Sequence, residues 1–351
     1  VFRFVEQGEL WSTISPDLTA KIGDRMETVG SGAETYGIVY TLSESTVKQG
    51  MLWAGTDDGK LWVTENEGKD WTDLTSTLPP SIKGEWLSRI EAGHKDPAVA
   101  YLAVDAHRSG NYAPLAFRTA DRGKTWTSIA AGLPPEGPVK VVREDPVNPN
   151  VLYAGTEFAL FLSIDQGKHW TVLGALPTVA VDDIVVHPKE RDLVIATHGR
   201  SVYIIDDLTP LQDLTPEARQ KAAVLFPVRK ALGRVLLAGW EDSSGSTVFR
   251  GANPPEGALF SFWIKEGGPE PVKLAITNAQ GQTVANLTSP AVTGINRISW
   301  DLKPTKDLLT EYGGEGNLFV RPGLYEATLT YGKETAKQPI EVVIAPGIET
   351  R

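Results

Sequence analysis

Four residues are spaced as if to share one place: Asp57, Asp105, Glu157 and His198. Each closes a short apolar run of one design, Leu52-Trp-Ala-Gly-Thr56, Ala100-Tyr-Leu-Ala-Val104, Leu152-Tyr-Ala-Gly-Thr156 and Leu193-Val-Ile-Ala-Thr197. Asp58, His107, Arg108 and Arg200 lie beside them. A second set, Glu34, Tyr36, Glu85, Trp86, Asp182 and Asp183, falls at the starts of other apolar runs. Carboxylates gathered in this way admit glycosidic cleavage, which needs two of them about 5 Å apart for retention or about 6.5–9.5 Å for inversion. Asp57, Glu157 and Asp105 are the catalytic candidates. The pairs Asp57–Asp58 and Asp182–Asp183 admit a structural calcium ion. The same face, with Trp53, Trp86 and Tyr112, equally admits recognition of a protein, peptide or glycan. The five histidines contain no close ligand pair, so no metal centre and no cofactor are expected. No phosphate-cradling glycine loop and no Gly-x-Ser-x-Gly elbow is present.

The elements that position these residues are repeats. An eight-residue box reads Thr64-Glu-Asn-Glu-Gly-Lys-Asp-Trp71, Thr119-Ala-Asp-Arg-Gly-Lys-Thr-Trp126 and Ser163-Ile-Asp-Gln-Gly-Lys-His-Trp170, with a worn copy at Phe4-Val-Glu-Gln-Gly-Glu-Leu-Trp11. The tryptophans recur 60, 55 and 44 residues apart, a period that signals a repeat architecture. Each unit has a β-branched run, a polar or proline turn, a second apolar run, a third leading into the box and a fourth leaving it. Four short strands per unit predict sheets arranged radially, as propeller blades. The box predicts a hairpin turn. Asn66, Asp121 and Asp165 accept turn amides. Gly68, Gly123 and Gly167 take positive φ. Trp71, Trp126 and Trp170 pack on the sheet edge and staple their own hairpin. The boxes then point away from the Asp57/Glu157 face.

Residues 1–208 make about four blades with part of another at the N-terminus. Residues 209–256 predict a linker, with a helix over Leu211–Lys221 capped by Thr215 and Pro216, a strand over Ala222–Pro227 and a loop over Gly239–Pro255. Residues 257–346 alternate polar and apolar residues over six or seven short runs, which predicts an antiparallel sandwich. The fold class is therefore all-β: propeller blades followed by an Ig-like β-sandwich. Net charge is −10 with no basic block, which gives no footprint for nucleic acid. No apolar run reaches the roughly 18 residues of a membrane span. Cysteine is absent, which excludes disulfides and thiolate chemistry.

The boxes resemble the Asp-box (BNR) repeats of sialidases, xyloglucanase-type glycoside hydrolases and the sortilin-type propeller. Glu34-Thr-Tyr-Gly-Ile-Val-Tyr-Thr-Leu-Ser-Glu-Ser45, Leu52-Trp-Ala-Gly-Thr-Asp-Asp-Gly59 and Ala196-Thr-His-Gly-Arg-Ser-Val-Tyr-Ile-Ile-Asp-Asp207 resemble large exported bacterial proteins of the sortilin-like, "glycosyl hydrolase, BNR repeat" group. Ile276-Thr-Asn-Ala-Gln-Gly281, Gly294-Ile-Asn-Arg-Ile-Ser-Trp-Asp301 and Arg321-Pro-Gly-Leu-Tyr325 resemble the Ig-like domain of flagellar hook-capping type. The resemblance implies an extracellular, cell-surface or periplasmic location. It also implies a ring completed by a preceding segment of the same protein or by another chain. The arginine cluster and tyrosine nucleophile of sialidases are not matched, since the face offers Arg108 and Arg200 alone. The expectation is a non-catalytic binding or accessory propeller, with a BNR-type glycoside hydrolase as the alternative.

Overall fold

The computed structural model describes residues 1–5, 10–23, 36–174, 176–233, 255, 257–308 and 319–344. Glu34, the middle of the worn box and most of the 239–255 loop lie outside the described residues. Short β-branched runs separated by glycine and proline turns favour strands over helices, because the side chains pack well on a pleated surface. The chain forms two compact units, Val1–Leu208 and Thr209–Arg351.

In the first unit β1 (Phe2–Val5) and β2 (Leu10–Thr13) pair as a hairpin. Three four-stranded antiparallel sheets follow, each in chain order. They are β3 (Val39–Glu44), β4 (Leu52–Thr56), β5 (Leu61–Thr64) and β6 (Thr72–Asp73), then β7 (Trp86–Ala92), β8 (Ala100–Asp105), β9 (Leu115–Thr119) and β10 (Thr127–Ser128), then β11 (Val139–Glu144), β12 (Leu152–Thr156), β13 (Leu160–Ser163) and β14 (Thr171–Val172). A three-stranded sheet completes the unit with β15 (Val181–Val186), β16 (Leu193–Thr197) and β17 (Val202–Ile205). These are blades that stack face to face. One core joins Trp53, Leu61 and Val63 to Leu87, Ile90 and Leu102, and the next joins Tyr101, Ala103 and Ala116 to Val142, Ala154 and Phe161.

The boxes set this stacking. In each complete box the first hydroxyl accepts the glycine amide, at 3.0, 2.9 and 2.8 Å for Gly68, Gly123 and Gly167. Asn66, Asp121 and Asp165 accept the amide four residues on, at 2.9, 2.9 and 3.0 Å. The three glycines have φ of 86°, 78° and 84°. A side chain there would also strike the preceding blade: a Cβ would lie 2.9 Å from the Ile14 Cβ, 2.7 Å from the Leu74 Cδ1 and 2.8 Å from the Ile129 Cβ. The tryptophans depart from expectation. Trp71 and Trp170 donate their indole N–H to the carbonyls of Ile14 and Ile129, each at 2.7 Å, and both acceptors lie three residues beyond the previous box tryptophan. Trp126 packs edge-on against Trp53 of the preceding blade. The fourth strand is two residues long, too short to seat an indole, so the ring reaches the neighbouring blade instead.

The second unit opens with α1 (Thr209–Asp213) and a single 3-10 turn at Ala218–Gln220. The helix expected over Leu211–Lys221 is broken because Pro216 disfavours helical backbone at Thr215; Thr215 Oγ1 accepts from Ala218 N–H at the start of the short turn. β18 (Ala223–Leu225), β19 (Ala231–Gly233), β20 (Ala258–Ile264), β21 (Gly268–Thr277), β22 (Thr283–Ala291), β23 (Gly294–Trp300), β24 (Gly323–Tyr331) and β25 (Glu334–Ile344) follow. They form two sheets, β18-β20-β23 and β19-β25-β24-β21-β22, whose inner residues, among them Phe260, Phe262, Trp300, Leu329 and Ile340, share one core. This unit is a β-sandwich. No helix among the described residues is long and apolar enough to cross a membrane.

Candidate functional site

Strand register fixes which residues share a station. Asp57, Glu157 and His198 each donate their backbone N–H to the residue just before a first strand, Ile38, Pro138 and Ala180, and Asp105 faces Trp86 across β8 and β7. These four therefore occupy one level of successive blades. The first strands carry a further repeat that the sequence reading did not use. Each has a register shift at the same place, at Tyr40, Ser88, Lys140 and Asp182. A bulge inserts one residue and re-aims its side chain, so Lys140 and Asp182 enter the cluster at the second-strand ends.

The candidate carboxylates are not equivalent. Asp57 is buried, and its Oδ1 accepts from the Gly37 and Ile38 amides at 3.0 and 2.8 Å. Asp58 is buried and accepts from Thr56 Oγ1 and, at 2.7 Å, from Ala20 N–H. Both hold backbone in place. Asp105 is 1% exposed; its Oδ1 lies 2.6 Å from His107 Nδ1, and its Oδ2 lies 3.6 Å from Lys140 Nζ. Lys140 Nζ also lies 3.0 Å from Glu157 Oε2 and 4.0 Å from Asp182 Oδ1, and Asp182 Oδ2 lies 3.1 Å from His198 Nδ1. Three blades thus supply one chain of polar contacts running from His107 to His198, with Lys140 and its carboxylates at the centre. Facing carboxylates raise the Lys140 pKa, although burial opposes them as the largest single effect. The ammonium stays charged among them.

Below this level Arg143, from β11, ties three blades together. It donates to Glu91, to Asp183 at 2.9 Å and to the Ile184 carbonyl at 2.8 Å. Arg89 reaches the same Asp183 at 3.0 Å. Glu91 in turn lies 3.2 Å from His94 Nε2. Asp183 therefore belongs to a structural ion-pair network. Asp57, Asp58, Asp182 and Asp183 each give an oxygen to a different protein partner, the Gly37 and Ile38 amides, Thr56 Oγ1 and Ala20 N–H, His198 Nδ1, and Arg143.

The aromatic part of the site centres on Trp86, which is half-buried. Tyr40 meets it edge-on at 4.6 Å, Arg108 lies 4.4 Å above the ring and His107 stands 6.1 Å away. A guanidinium over an indole face is an attractive cation–π arrangement. Glu85 accepts from Ser109 at 2.7 Å and fixes the turn that carries Arg108. Tyr112 is exposed, and its carbonyl accepts from Gly137 N–H of the next blade. His198 and Arg200 are exposed at the mouth. Tyr40, Arg89, Glu91, Lys140 and Arg143 were not singled out from the sequence. The signal lay in charged residues inside an apolar strand, as in Val139-Lys-Val-Val-Arg143, whose facing depends on a bulge.

No protein-family model and no curated protein matches the chain. Among solved structures, a GH74 xyloglucanase from Xanthomonas campestris is similar with TM-score 0.43 and 12% identity, covering 97% of this chain and 50% of that one. A structure of YCF48 bound to D1 peptide is similar with TM-score 0.38 and 14% identity over 48% of this chain and 51% of that one. GH74 from Niastella koreensis follows with TM-score 0.37 and 14% identity over 85% and 37%. The chain spans about half the length of these structures or less. At these scores the likenesses transfer no activity, and the blade architecture rests on the strand pairings themselves.

Proposed function

We propose that the first unit is a binding module that holds a polypeptide segment across the mouth formed by Trp86, Arg108, Tyr112, Lys140, Glu157, Asp182 and His198. The observation that carries this reading is the assembled Tyr40–Trp86–Arg108 stack beside an ordered chain of polar contacts. An amphipathic aromatic platform with charged groups at its rim suits side-chain and main-chain recognition, and residues on loops over a rigid scaffold commonly serve it. The finer family reading belongs to this proposal. It comprises Asp-box repeats of sortilin-like type, an Ig-like second unit and an extracellular, cell-surface or periplasmic location, and it is supported by the box residues and the motifs quoted above. The test is a peptide-array screen followed by titration. Trp86→Ala and Arg108→Ala each weaken the selected peptide by about tenfold or more, in the range of a hot-spot truncation. Undiminished binding in both variants would sink the reading.

Glycan hydrolysis is the second reading, and one observation favours it. Glu157 Oε2 and Asp182 Oδ1 both reach Lys140 Nζ, at 3.0 and 4.0 Å, so these two oxygens are no more than about 7 Å apart, a bound that admits the retaining spacing. The same observation weighs against it, because a lysine ammonium fills the space that an inverting enzyme leaves for water. Hydrolysis assays on polysaccharides with the wild type and with Glu157→Ala, Asp57→Ala and Asp105→Ala decide between the two. Turnover lost in Glu157→Ala supports the enzyme.

A further inference from the structure

The charges at the mouth do not balance. Asp105, Glu157 and Asp182 surround the ammonium of Lys140, at 3.6, 3.0 and 4.0 Å. The contact to Glu157 Oε2 is a hydrogen bond, while the other two exceed hydrogen-bond reach. Asp105 Oδ2 is consequently a buried acceptor with no hydrogen-bond donor among the described residues, on a residue 1% exposed. Such an acceptor is destabilising, and this one is directed at the cluster through Lys140 Nζ. The side chains of Glu157 and Asp182 are 42% and 43% exposed, against 21% for Lys140. Two carboxylates from successive blades are thus open to solvent, and one ammonium serves them and Asp105 together.

The rim beside this cluster also holds apolar groups in place. Phe158, next in the chain to Glu157, is 49% exposed, yet its backbone is fixed on both sides. Its N–H donates to Thr156 Oγ1 at 3.3 Å, and its carbonyl accepts from Val179 N–H at 3.2 Å. Its ring lies on Gly137, where a Cβ would stand 3.0 Å from Phe158 Cδ2. Gly137 has φ of 119° and donates its N–H to the Tyr112 carbonyl at 2.9 Å. Tyr112 and Phe158, both exposed, therefore flank one blade junction, and Trp86 faces Asp105 across β7 and β8. Ordered aromatic surface left in water at the edge of a charged cluster is the composition of a contact site.

We propose that the mouth seats an arginine side chain of the bound polypeptide, with the guanidinium on Glu157 and Asp182 and the methylene stem on Phe158. This seat deepens the peptide-binding reading and rests on it. Charge complementarity selects the occupant, because three carboxylates face one ammonium. A guanidinium presents its donors as a planar fork, which suits two carboxylates held on different blades better than a second ammonium does. As it takes over Glu157 Oε2, Lys140 Nζ closes on its flexible stem onto Asp105 Oδ2 and gives that acceptor its donor. The filled seat then holds two cations among the three carboxylates. An acidic side chain would meet like charges there, which is repulsive.

The probes are N-acetylarginine amide, its neutral citrulline counterpart, and the array pentapeptides with arginine, citrulline, lysine or glutamate at the centre. Titrated into the intact chain, arginine pentapeptides bind at least about tenfold more tightly than their citrulline counterparts, as expected for lost charged hydrogen bonds. Glu157→Gln and Asp182→Asn, at exposed positions, each remove most of that preference and leave the citrulline peptide within about twofold of its wild-type affinity. Trp86→Ala and Phe158→Ala weaken both peptides alike. N-acetylarginine amide shifts the Glu157 and Asp182 amide resonances, and N-acetylcitrulline amide does not. Equal binding of arginine and citrulline peptides that remains sensitive to Trp86→Ala overturns the arginine seat and leaves the peptide reading standing. An arginine preference untouched in Glu157→Gln and Asp182→Asn overturns the seat as well. So does a preference for glutamate that Lys140→Met abolishes, which would make the ammonium the anchor. If no pentapeptide binds while N-acetylarginine amide still shifts both resonances, the guanidinium seat stands and the peptide reading alone fails. Silence from every probe overturns both.

Discussion

Two kinds of titrating residue hold the blades, and they respond to pH in opposite senses. Thr125 holds the Asp121 carboxylate at about 2, through its hydroxyl first and then its amide. Asp165 also lies at about 2: burial, the largest effect, opposes this, and hydrogen bonds from His169 and Ser163 outweigh it. Their contribution is present above the ordinary aspartate value of 3.8 and is lost as pH falls through about 2. His94 is shifted upward, by its hydrogen bond to Glu91 first, with burial opposing. Glu144, which accepts from Tyr101 at 2.6 Å and from the His94 amide at 2.7 Å, is raised by burial. A raised folded pKa contributes stability below the unfolded value and loses it as pH rises through the folded one. The first unit is therefore expected to lose stability as pH climbs above the ordinary histidine value of 6.5. Urea midpoints recorded between about pH 5.5 and 7.5, one unit to either side of that value, check this. The slope flattens in His94→Gln; an unchanged slope would assign the effect to another group.

At the level of elements, the box glycines test whether the hairpin or the blade contact matters more. Gly167 and Gly110 share a left-handed backbone, with φ of 84° and 77°, but a Cβ on Gly167 meets Ile129 at 2.8 Å while one on Gly110 meets nothing within 4 Å. Gly110→Ala is expected to cost about 1–2 kcal/mol from backbone strain. Gly167→Ala adds a further 1–3 kcal/mol or so from overpacking between blades. Equal losses in chemical denaturation would show that the glycine serves only the turn. This distinction was not legible in the sequence. The fixed offsets of Thr64, Asn66 and Gly68 foretell a hairpin, because turn hydrogen bonds are local. The partner of Trp71 is Ile14, across a blade boundary, and no local pattern reports it. The candidate site divides in the same way. Asp105, Glu157 and His198 follow from counting along the second strands, whereas Lys140 and Arg143 depend on a bulge, which shifts facing by one residue and is silent in a period-two pattern. The helix expected over Leu211–Lys221 failed at Pro216, where a helix-forming composition was outweighed by one steric restriction.

At the scale of the whole molecule, each unit has its own core. Blade cores draw on residues between Met51 and Trp170, and the sandwich core on residues between Ala223 and Val342. Separate cores are expected to melt separately, so calorimetry of the intact chain should give two transitions rather than one cooperative event. Substitutions assign them. Leu329 is fully buried in the sandwich and Val142 nearly so between blades. Leu329→Ala should cost about 2–5 kcal/mol and Val142→Ala somewhat less, by loss of buried methyl groups and residual cavity. Each should move one transition and leave the other in place. If either substitution moves both midpoints, folding is coupled across the chain, and the binding mouth then depends on the integrity of the sandwich. If the midpoints move independently, the propeller unit can be taken as 1–208 for the peptide titrations, and loss of binding in Trp86→Ala can be read at the mouth alone.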